Sequence, residues 1–321
     1  MDLIYTNPDR EDLGVLQNYD MDLAFGADEN NFECVIRSDA HCCTAGSLLY
    51  IEGTEYGGII DSIQSKSDTQ EVIYSGRTWH GILNSKVIEP DSGSAYLNLT
   101  GEANAVIGSL IARMGVSGLF EASSEASGMN IKSYQMNRYI KGFDGIFKML
   151  DSVGARLQVA FKGNKVILSA VKKYDFAQDE EFDSDQVDLD IKRRFKTVNH
   201  LICLGSGELE SRMVIHLYAD KDGNISQTQT QFGMDEFTDV YDYSSVESYE
   251  ELLSSGKEKL QSLWEPAELS VDFDDTSDKY AVGDIVGAYD NITGISVSAA
   301  ITKKIVTIKN GQITISYKVG E

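Results

Sequence analysis

Two segments of the chain, one near its start and one at its end, share the same order of features: a short apolar strand, a polar loop, a turn glycine and an apolar pair. The strands are residues 32–36 and 269–273, and Gly46 and Gly283 each follow the first strand residue by 14 positions. Period-two alternation between turn residues is typical of half-buried antiparallel strands. The pattern predicts two similar small β-barrels, although two unrelated β-meanders would produce it equally well.

The likeness continues beyond the two glycines. Ile60 follows its glycine by 14 residues and Ile301 follows its own by 18, so the second copy is four residues longer there. An alternating strand comes next in each copy, and the spacing aligns Val72 with Ile313. If the copies share one topology, these residues are expected to superpose.

A net charge of −23 over 321 residues limits the partners of the chain. Such an acidic surface repels nucleic-acid phosphates and anionic membranes, so duplex DNA is not expected as a bound ligand. No apolar run approaches the roughly 20 residues that span a bilayer, and the first residues lack the basic-then-apolar plan of a signal peptide. We therefore expect synthesis and initial residence in the cytoplasm.

The period of the apolar residues changes along the chain and defines the predicted domains. Residues 1–95 have strand character, residues 96–190 have helical spacing and a hairpin, and strand character returns near 195. We predict a mainly β protein whose first β-barrel combines residues 1–95 with about 191–245. Residues 96–190 form an inserted α/β peripheral domain, expected to be an independent lobe, and residues 246–321 form a helix and the second β-barrel.

Two helices and one hairpin are predicted inside the insertion. Helical spacing relates two groups of apolar residues, which end near Gly115 and Gly154: Val106, Ile107, Leu110, Ile111 and Met114, and then Ile146, Phe147, Leu150 and Val153. The turn Lys162-Gly163-Asn164 joins strands at 156–161 and 165–171. A further helix is predicted between Val246 and Trp264.

Residues that could carry chemistry do not form a recognisable constellation. Cys34, Cys42, Cys43 and Cys203 fit neither a disulfide framework nor zinc-ligand spacing, even with His41 adjacent. The acidic runs at 183–188 and 272–275 lack the glycine and terminal glutamate of a calcium loop. The Gly205-Ser206-Gly207 segment is explained by a turn, and no histidine has a nucleophile partner. We predict no catalytic, cofactor-binding or metal-binding residue, and no enzyme activity.

Four phrases of the sequence carry a family resemblance. They are DLAFGADENNFE at 22–33, NHLICLGSGEL at 199–209, YAVGDIV at 280–286 and ITKKIV at 301–306. With these phrases the chain resembles the hub proteins of tailed bacteriophages and prophages, which cap the distal end of the tail tube. The resemblance extends over nearly the whole chain.

The resemblance implies a homotrimer in which each chain contributes two tube-type β-barrels, giving a ring of pseudo-sixfold symmetry that lines the DNA channel. It implies a tail tube or distal tail protein above the ring and spike, fibre or other baseplate proteins below it. The particle would assemble in the bacterial cytoplasm and the protein would reside in the virion tail. Because an acidic bore lets DNA slide without sticking, the acidic excess is expected along the bore and the outer rim.

Two other classes remain open at this point: a peptidoglycan hydrolase and a carbohydrate-binding β-protein. The second would be expected to show an export signal and clusters of exposed aromatic residues. The chain has only Trp79 and Trp264, both at positions that suggest structural roles. Loss of turbidity of a peptidoglycan suspension would identify the first class.

Overall fold

The computed structural model describes residues 2–178, 181–183, 189–193, 197–264, 267–275, 278–309 and 311–320. The chain divides into two compact units, one formed by residues 1–189 with 270–321 and the other by residues 190–269. No helix in these described ranges has the length and apolar character needed to cross a membrane.

The first part of the larger unit is a β-meander with one short helix. Its elements are β1 (Leu3–Thr6), β2 (Asp12–Leu16), β3 (Asp20–Gly26), β4 (Asn31–Arg37), β5 (Leu48–Tyr50), β6 (Gly57–Lys66), β7 (Glu71–Thr78) and α1 (Trp79–Asn84). In β4, Phe32, Cys34 and Ile36 are buried while Glu33 is exposed, which is the alternation of a strand with one covered face. Helix α1 begins where the Thr78 side chain accepts a hydrogen bond from the backbone N–H of Gly81.

The insertion begins after α1. It comprises β8 (Val87–Ile88), β9 (Leu97–Glu102), α2 (Ala103–Arg113), β10 (Phe120–Ala122), β11 (Asn130–Met136), β12 (Ile140–Lys141), α3 (Gly142–Asp151), β13 (Ala155–Lys162) and β14 (Lys165–Lys172). The predicted helices are confirmed, and Gly115 and Gly154 follow them with φ of 70° and 68°. The predicted hairpin is confirmed as well, because Gly163 and Asn164 both have positive φ, as in a type I′ turn.

One hydrophobic core joins the insertion to the first meander. Phe161 of β13 stacks on Tyr50 with ring centroids 3.9 Å apart, and it lies 5.5 Å from Trp79. The same core continues through the buried faces of α2 and α3. The insertion is therefore not separated from the meander by a gap in packing, as an independent lobe would be.

The second meander completes the larger unit. Its elements are β15 (Glu181–Asp183), β21 (Ala267–Asp275), β22 (Ile285–Asp290), β23 (Ile295–Lys309) and β24 (Gln312–Val319), numbered in chain order with β16 (Leu189–Arg193) and the strands of the smaller unit between them. Its strands continue the sheet of the first meander, in the order β21-β24-β23-β3-β4-β7-β6-β5-β1-β2, with β22 also paired to β23.

None of the sheets among the described residues closes into a barrel. The mainly β character is confirmed, whereas the two separate barrels expected from the sequence are not found within one chain. The reason lies in the length of β23. Its first six residues pair with β22, and the residues after Ile301 pair with β24 on one side and β3 on the other.

The smaller unit is a four-stranded sheet covered by a helix. Its elements are β17 (His200–Leu204), β18 (Val214–Ala219), β19 (Ile225–Ser226), β20 (Thr238–Asp242) and α4 (Tyr249–Leu263), and the sheet order is β19-β18-β17-β20. Leu201, Cys203, Ile215 and Leu217 pack against Leu252 and Leu260 of α4. The strands of 200–242 and the helix thus share a core of their own. This grouping differs from the expectation that residues 191–245 return to the first barrel and that the helix belongs to the second.

Candidate assembly interface

The two copies share a backbone hydrogen-bond pattern around their turn glycines. The Gly46 N–H donates to the Ile60 carbonyl (2.8 Å), and the Ile60 N–H donates to the Ser47 carbonyl (2.9 Å). In the second copy, the Gly283 N–H donates to the Ile301 carbonyl (2.9 Å), and the Ile301 N–H donates to the carbonyl of the residue after the glycine (2.8 Å). The two glycines have φ of 87° and 97°, a region that favours glycine. The predicted correspondence of Gly46 with Gly283 is thus confirmed at the level of the backbone.

The strand pairing is repeated too. In the first copy β4 pairs with β7, β7 with β6 and β6 with β5, and in the second β21, β24, β23 and β22 pair in the same order. Both copies contain a register shift directly after the isoleucine, between Ile60 and Ser62 and between Ile301 and Lys303. We use "copy" for these two four-stranded motifs from here on.

The register corrects the alignment of the outer strands. Ile60 pairs with Gly76 and Ile301 pairs with Val319, so four residues earlier Val72 corresponds to Ile315 and not to Ile313. By the same register, the strand residue that corresponds to Phe32 is Val271, and Tyr74 corresponds to Tyr317. In the second copy, the loop between the first strand and the glycine is two residues shorter. The hairpin that joins β23 to β24 is two residues longer than the hairpin that joins β6 to β7 in the first copy. These two changes produced the apparent match of spacing in the sequence.

The copies meet along one joint, the pairing of β23 with β3. Six residue pairs form this ladder, from Lys303 opposite Gly26 to Ile308 opposite Met21. The Ala27 N–H donates to the Thr302 carbonyl (3.1 Å) at the end of the ladder. Gly26 has no room for a side chain, because a Cβ there would lie 2.2 Å from the Thr302 carbonyl oxygen. The joint therefore requires close approach of the two backbones.

A buried cation lies beneath the joint. Lys304 is 2% exposed, and its Nζ lies 2.7 Å from Glu55 Oε1 and 2.5 Å from Asp278 Oδ1. The Tyr56 hydroxyl donates to Asp278 Oδ2 (2.6 Å). Glu55 and Tyr56 follow β5 of the first copy, whereas Lys304 is on β23 of the second. This cluster, Lys304 with Glu55, Tyr56 and Asp278, thus links the copies by charge as well as by strand pairing.

The charges of this cluster shift one another's pKa values. Burial alone would lower the pKa of Lys304, but Glu55, Tyr56 and Asp278 outweigh burial and raise it. Burial alone would raise the pKa of Glu55, and the neighbouring Lys304 lowers it instead. Both groups are therefore charged at neutral pH.

His80 lies beside the cluster as a neutral residue. Its ring packs edge-on against Phe25 and Phe143, with centroids 5.1 Å away in both cases. Burial lowers the pKa of His80 even though Glu55 is close, and its Nδ1 has no hydrogen-bond partner in the described part of the chain.

The insertion is tied to the second copy by a second ion pair. The Arg156 Nε of β13 donates to Asp284 Oδ1 (2.9 Å), and Asp284 is 1% exposed. The Asp284 carboxylate also accepts hydrogen bonds from the backbone N–H groups of Tyr174 and Ala281. The buried carboxylate therefore has three hydrogen-bond donors, as a buried polar group requires.

The residues singled out for metal chemistry have structural partners. The Tyr74 hydroxyl accepts from the backbone N–H groups of Cys42 (3.1 Å) and Cys43 (3.2 Å), and it lies 2.8 Å from His41 Nδ1. Burial raises the pKa of Cys34 to about 12, so this residue is a protonated thiol. No group of three potential ligands is found among the described residues. Of the two acidic runs, residues 184–188 and the side chains of 272–275 lie outside what is described.

Two histidines meet in the smaller unit, which sequence reasoning missed. His200 Nδ1 lies 2.6 Å from Glu236 Oε1, and His200 Nε2 lies 2.8 Å from His216 Nδ1. In a hydrolytic triad the second imidazole nitrogen faces a nucleophile, whereas here it faces another imidazole. The chain of polar groups satisfies the buried His200 and does not form a nucleophile site. Ser206 and Gly207 lie in a bend of the chain, with φ of 101° at Gly207.

Comparison with solved structures gives matches over the whole chain. A tail protein from Neisseria meningitidis MC58 has a TM-score of 0.53 and 14% identity, covering 100% of this chain and 96% of that one. The 43 kDa tail protein of prophage MuSo2 from Shewanella oneidensis has a TM-score of 0.58 and 10% identity, covering 99% and 98%. The chain has the fold of phage tail proteins.

A third structure agrees with these two. Prophage tail protein gp18 from Listeria monocytogenes EGD-e has a TM-score of 0.54 and 10% identity, covering 99% of this chain and 94% of that one. No protein-family model and no curated protein matches the sequence. The fold resemblance expected from the four sequence phrases is therefore confirmed by structure rather than by sequence comparison.

Proposed function

We propose that the protein is the structural hub of a phage, prophage or tail-like bacteriocin tail, capping the distal end of the tail tube. The observation that carries this proposal is the pair of copies joined side by side through β23 and β3. A chain that holds two near-equivalent motifs in one sheet supplies two neighbouring positions of a ring. Three chains then supply six such positions, so a trimeric hub matches the six subunits of a hexameric tube above it.

The fold of the three tail proteins supports a structural role. The polar clusters support it too, because each has a structural explanation. The Lys304 cluster links the copies, the Tyr74 hydroxyl holds a loop, and His200 is satisfied by Glu236 and His216. Trp79 is fully buried and cannot stack on a sugar ring, which removes one argument for carbohydrate binding. We propose that the protein is not an enzyme.

In the proposed ring, the net charge of −23 has a function. Acidic side chains along the bore repel DNA phosphates, so that DNA passes without specific binding. Like charges at subunit contacts would oppose assembly, so the centres of the contacts are apolar and the acidic excess faces the bore and outer rim. The partners are a tube or distal tail protein above and spike, fibre or baseplate proteins below.

The ring is tested by concentrating the purified chain and imaging it. We expect ring-shaped particles with the mass of three chains and a projection close to sixfold. Association depends on concentration, so a series up to millimolar protein is needed. Rings of another copy number, or closed particles without a central opening, would contradict the proposal. Clearing of a peptidoglycan suspension by the same sample would contradict the non-enzymatic part.

A further inference from the structure

The edge of β6 from Ser62 to Lys66 has no partner strand among the described residues. Up to Ile59, β6 pairs with β5 on this side, and beyond the bulge it pairs only with β7 on the other side. The corresponding edge of the second copy, Lys303–Ile308 of β23, is covered by β3. At this edge the two copies therefore differ, since one edge is paired within the chain and the other has no partner strand among the described residues.

The internal repeat identifies which backbone groups are open. In an antiparallel pair, alternate residues direct both N–H and C=O to the same neighbour. The bond from the Ala27 N–H to the Thr302 carbonyl fixes this alternation in β23, so Thr302, Lys304 and Val306 face β3. Counting from the shared bulge, Lys304 corresponds to Ile63 and Val306 to Ser65. The N–H groups of Ile63 and Ser65 therefore point away from β7, toward the open side.

The composition of this edge suits it for strand pairing. Exposed edges are normally protected by charged residues, proline or a very short strand. Residues 62–65 are Ser, Ile, Gln and Ser, with neither charge nor proline, and all four are exposed; the charged residue of the edge, Lys66, lies at its end. Ile63 is 39% exposed at the position where the second copy has the buried Lys304. An apolar side chain on an unprotected edge is a template for another strand.

We propose that Ser62–Lys66 pairs in antiparallel fashion with a strand of a second copy of this chain. The occupant is β16 (Leu189–Arg193) of that neighbour, which lies next to β21 in the sheet as β3 lies next to β4. The joint between chains then repeats the joint within the chain, and successive joints close the ring. This inference rests on the proposed hub function and adds the surface through which neighbouring subunits bind.

Proline at position 65 tests the joint without breaking the monomer. Ser65→Pro removes an outward N–H and leaves the ladder to β7 intact, since proline is tolerated where the N–H side of an edge is free. We expect association to weaken by about tenfold or more at each joint, the ratio expected for one lost hydrogen bond with added steric conflict. Ser65→Ala keeps the N–H and should assemble like the wild type. Gln64→Pro removes an N–H directed at β7 and should destabilise the monomer itself.

Amide hydrogen exchange gives a second measurement on the unmodified chain. Protection at Ile63 and Ser65 should rise with protein concentration, whereas Ser62 and Gln64 should be protected at every concentration. Rings of Ser65→Pro as stable as those of the wild type would overturn the inference and leave the ring intact. Open dimers with a protected Ser65 amide would support the inference and overturn the ring. A wild-type chain that does not self-associate at millimolar concentration would overturn both.

Discussion

Replacing Lys304 by methionine tests whether the joint between the copies depends on a buried ion pair. The substitution removes the charge and retains most of the side-chain volume, so packing changes little. It leaves Glu55 and Asp278 without their cation, and the lysine side chain they lose is only 3% exposed. The free energy of unfolding of the larger unit should fall.

The expected loss follows from the exposure of the two carboxylates. Removing one partner of a buried ion pair costs about 3–5 kcal/mol. The Asp278 side chain is 46% exposed and water can hydrate it, whereas the Glu55 side chain is 22% exposed and is left largely desolvated. We therefore expect about 3 kcal/mol at neutral pH, toward the lower end of that range. A Lys304→Met/Glu55→Gln double variant should recover part of this loss, because the unpaired charge is gone.

The loss should depend on pH in a defined direction. In the wild type the pKa of Glu55 is lowered. The stability that Glu55 contributes is therefore present above the pKa it has in the unfolded chain, and it is lost as the pH falls through its pKa in the folded protein. In Lys304→Met burial is opposed only by the smaller effects of His80 and Arg156, so we expect the pKa of Glu55 to lie above its unfolded value. The variant therefore loses stability as the pH rises through that raised value. The difference between wild type and variant should be small near about pH 4 and largest at about pH 7.

Urea unfolding followed by the fluorescence of Trp79 measures this difference. A Trp264→Phe background removes the signal of the smaller unit, whose unfolding need not coincide with that of the larger one. Lys303→Met is the matched control, because its ion pair with Glu29 is 2.5 Å long but partly exposed. The control should lose less than about 1 kcal/mol and show no change above about pH 5. A Lys304→Met loss below about 1 kcal/mol, or one that does not grow between acid and neutral pH, would refute the reasoning.

Three further predictions concern packing and buried polar groups. Excision of residues 96–171 should leave a remainder that aggregates in a solubility assay, because it exposes the rings that pack on Phe161. A soluble β-rich product would instead support the independent lobe expected from the sequence. Tyr74→Phe should cost about 1–3 kcal/mol, because two backbone donors lose their acceptor, and faster amide exchange at residues 42–43 would reveal it. Burial lowers the pKa of His80, so the stability that depends on its neutral form is present above its unfolded pKa and is lost as the pH falls below about 6.5. In His80→Phe, the free energy of unfolding should therefore change less between about pH 7.5 and 5.5 than in the wild type.

Local signals in the sequence predicted the local structure well. Helices α2 and α3 were indicated by apolar residues at helical spacing and by a glycine after each helix, and both begin and end close to those signals. The Gly163-Asn164 turn was indicated by two residues that accept positive φ. These features depend on a few neighbouring residues, so a single sequence contains all the information they need.

Long-range pairing was harder to predict. The strands at 200–242 alternate like those of the first meander, and alternation alone does not say which sheet a strand joins. The outer-strand alignment was wrong by two residues because two loop-length changes compensate each other. One signal for the buried cation was available: Lys304 alternates with Val306 and Ile308, which places it on the covered face of its strand.

The two copies agree in backbone and differ in side chains, and the difference follows from their neighbours. Ser47 and Asp284 have equivalent backbone hydrogen bonds, and each side chain accepts from the backbone N–H three residues earlier, but Asp284 also binds Arg156 of the insertion. A duplicated motif that met identical surroundings on both sides would have no reason to diverge at such positions. At this position the side chain follows its neighbours: the second copy borders Arg156 of the insertion and has a carboxylate, whereas the first copy has a hydroxyl that accepts from its own turn.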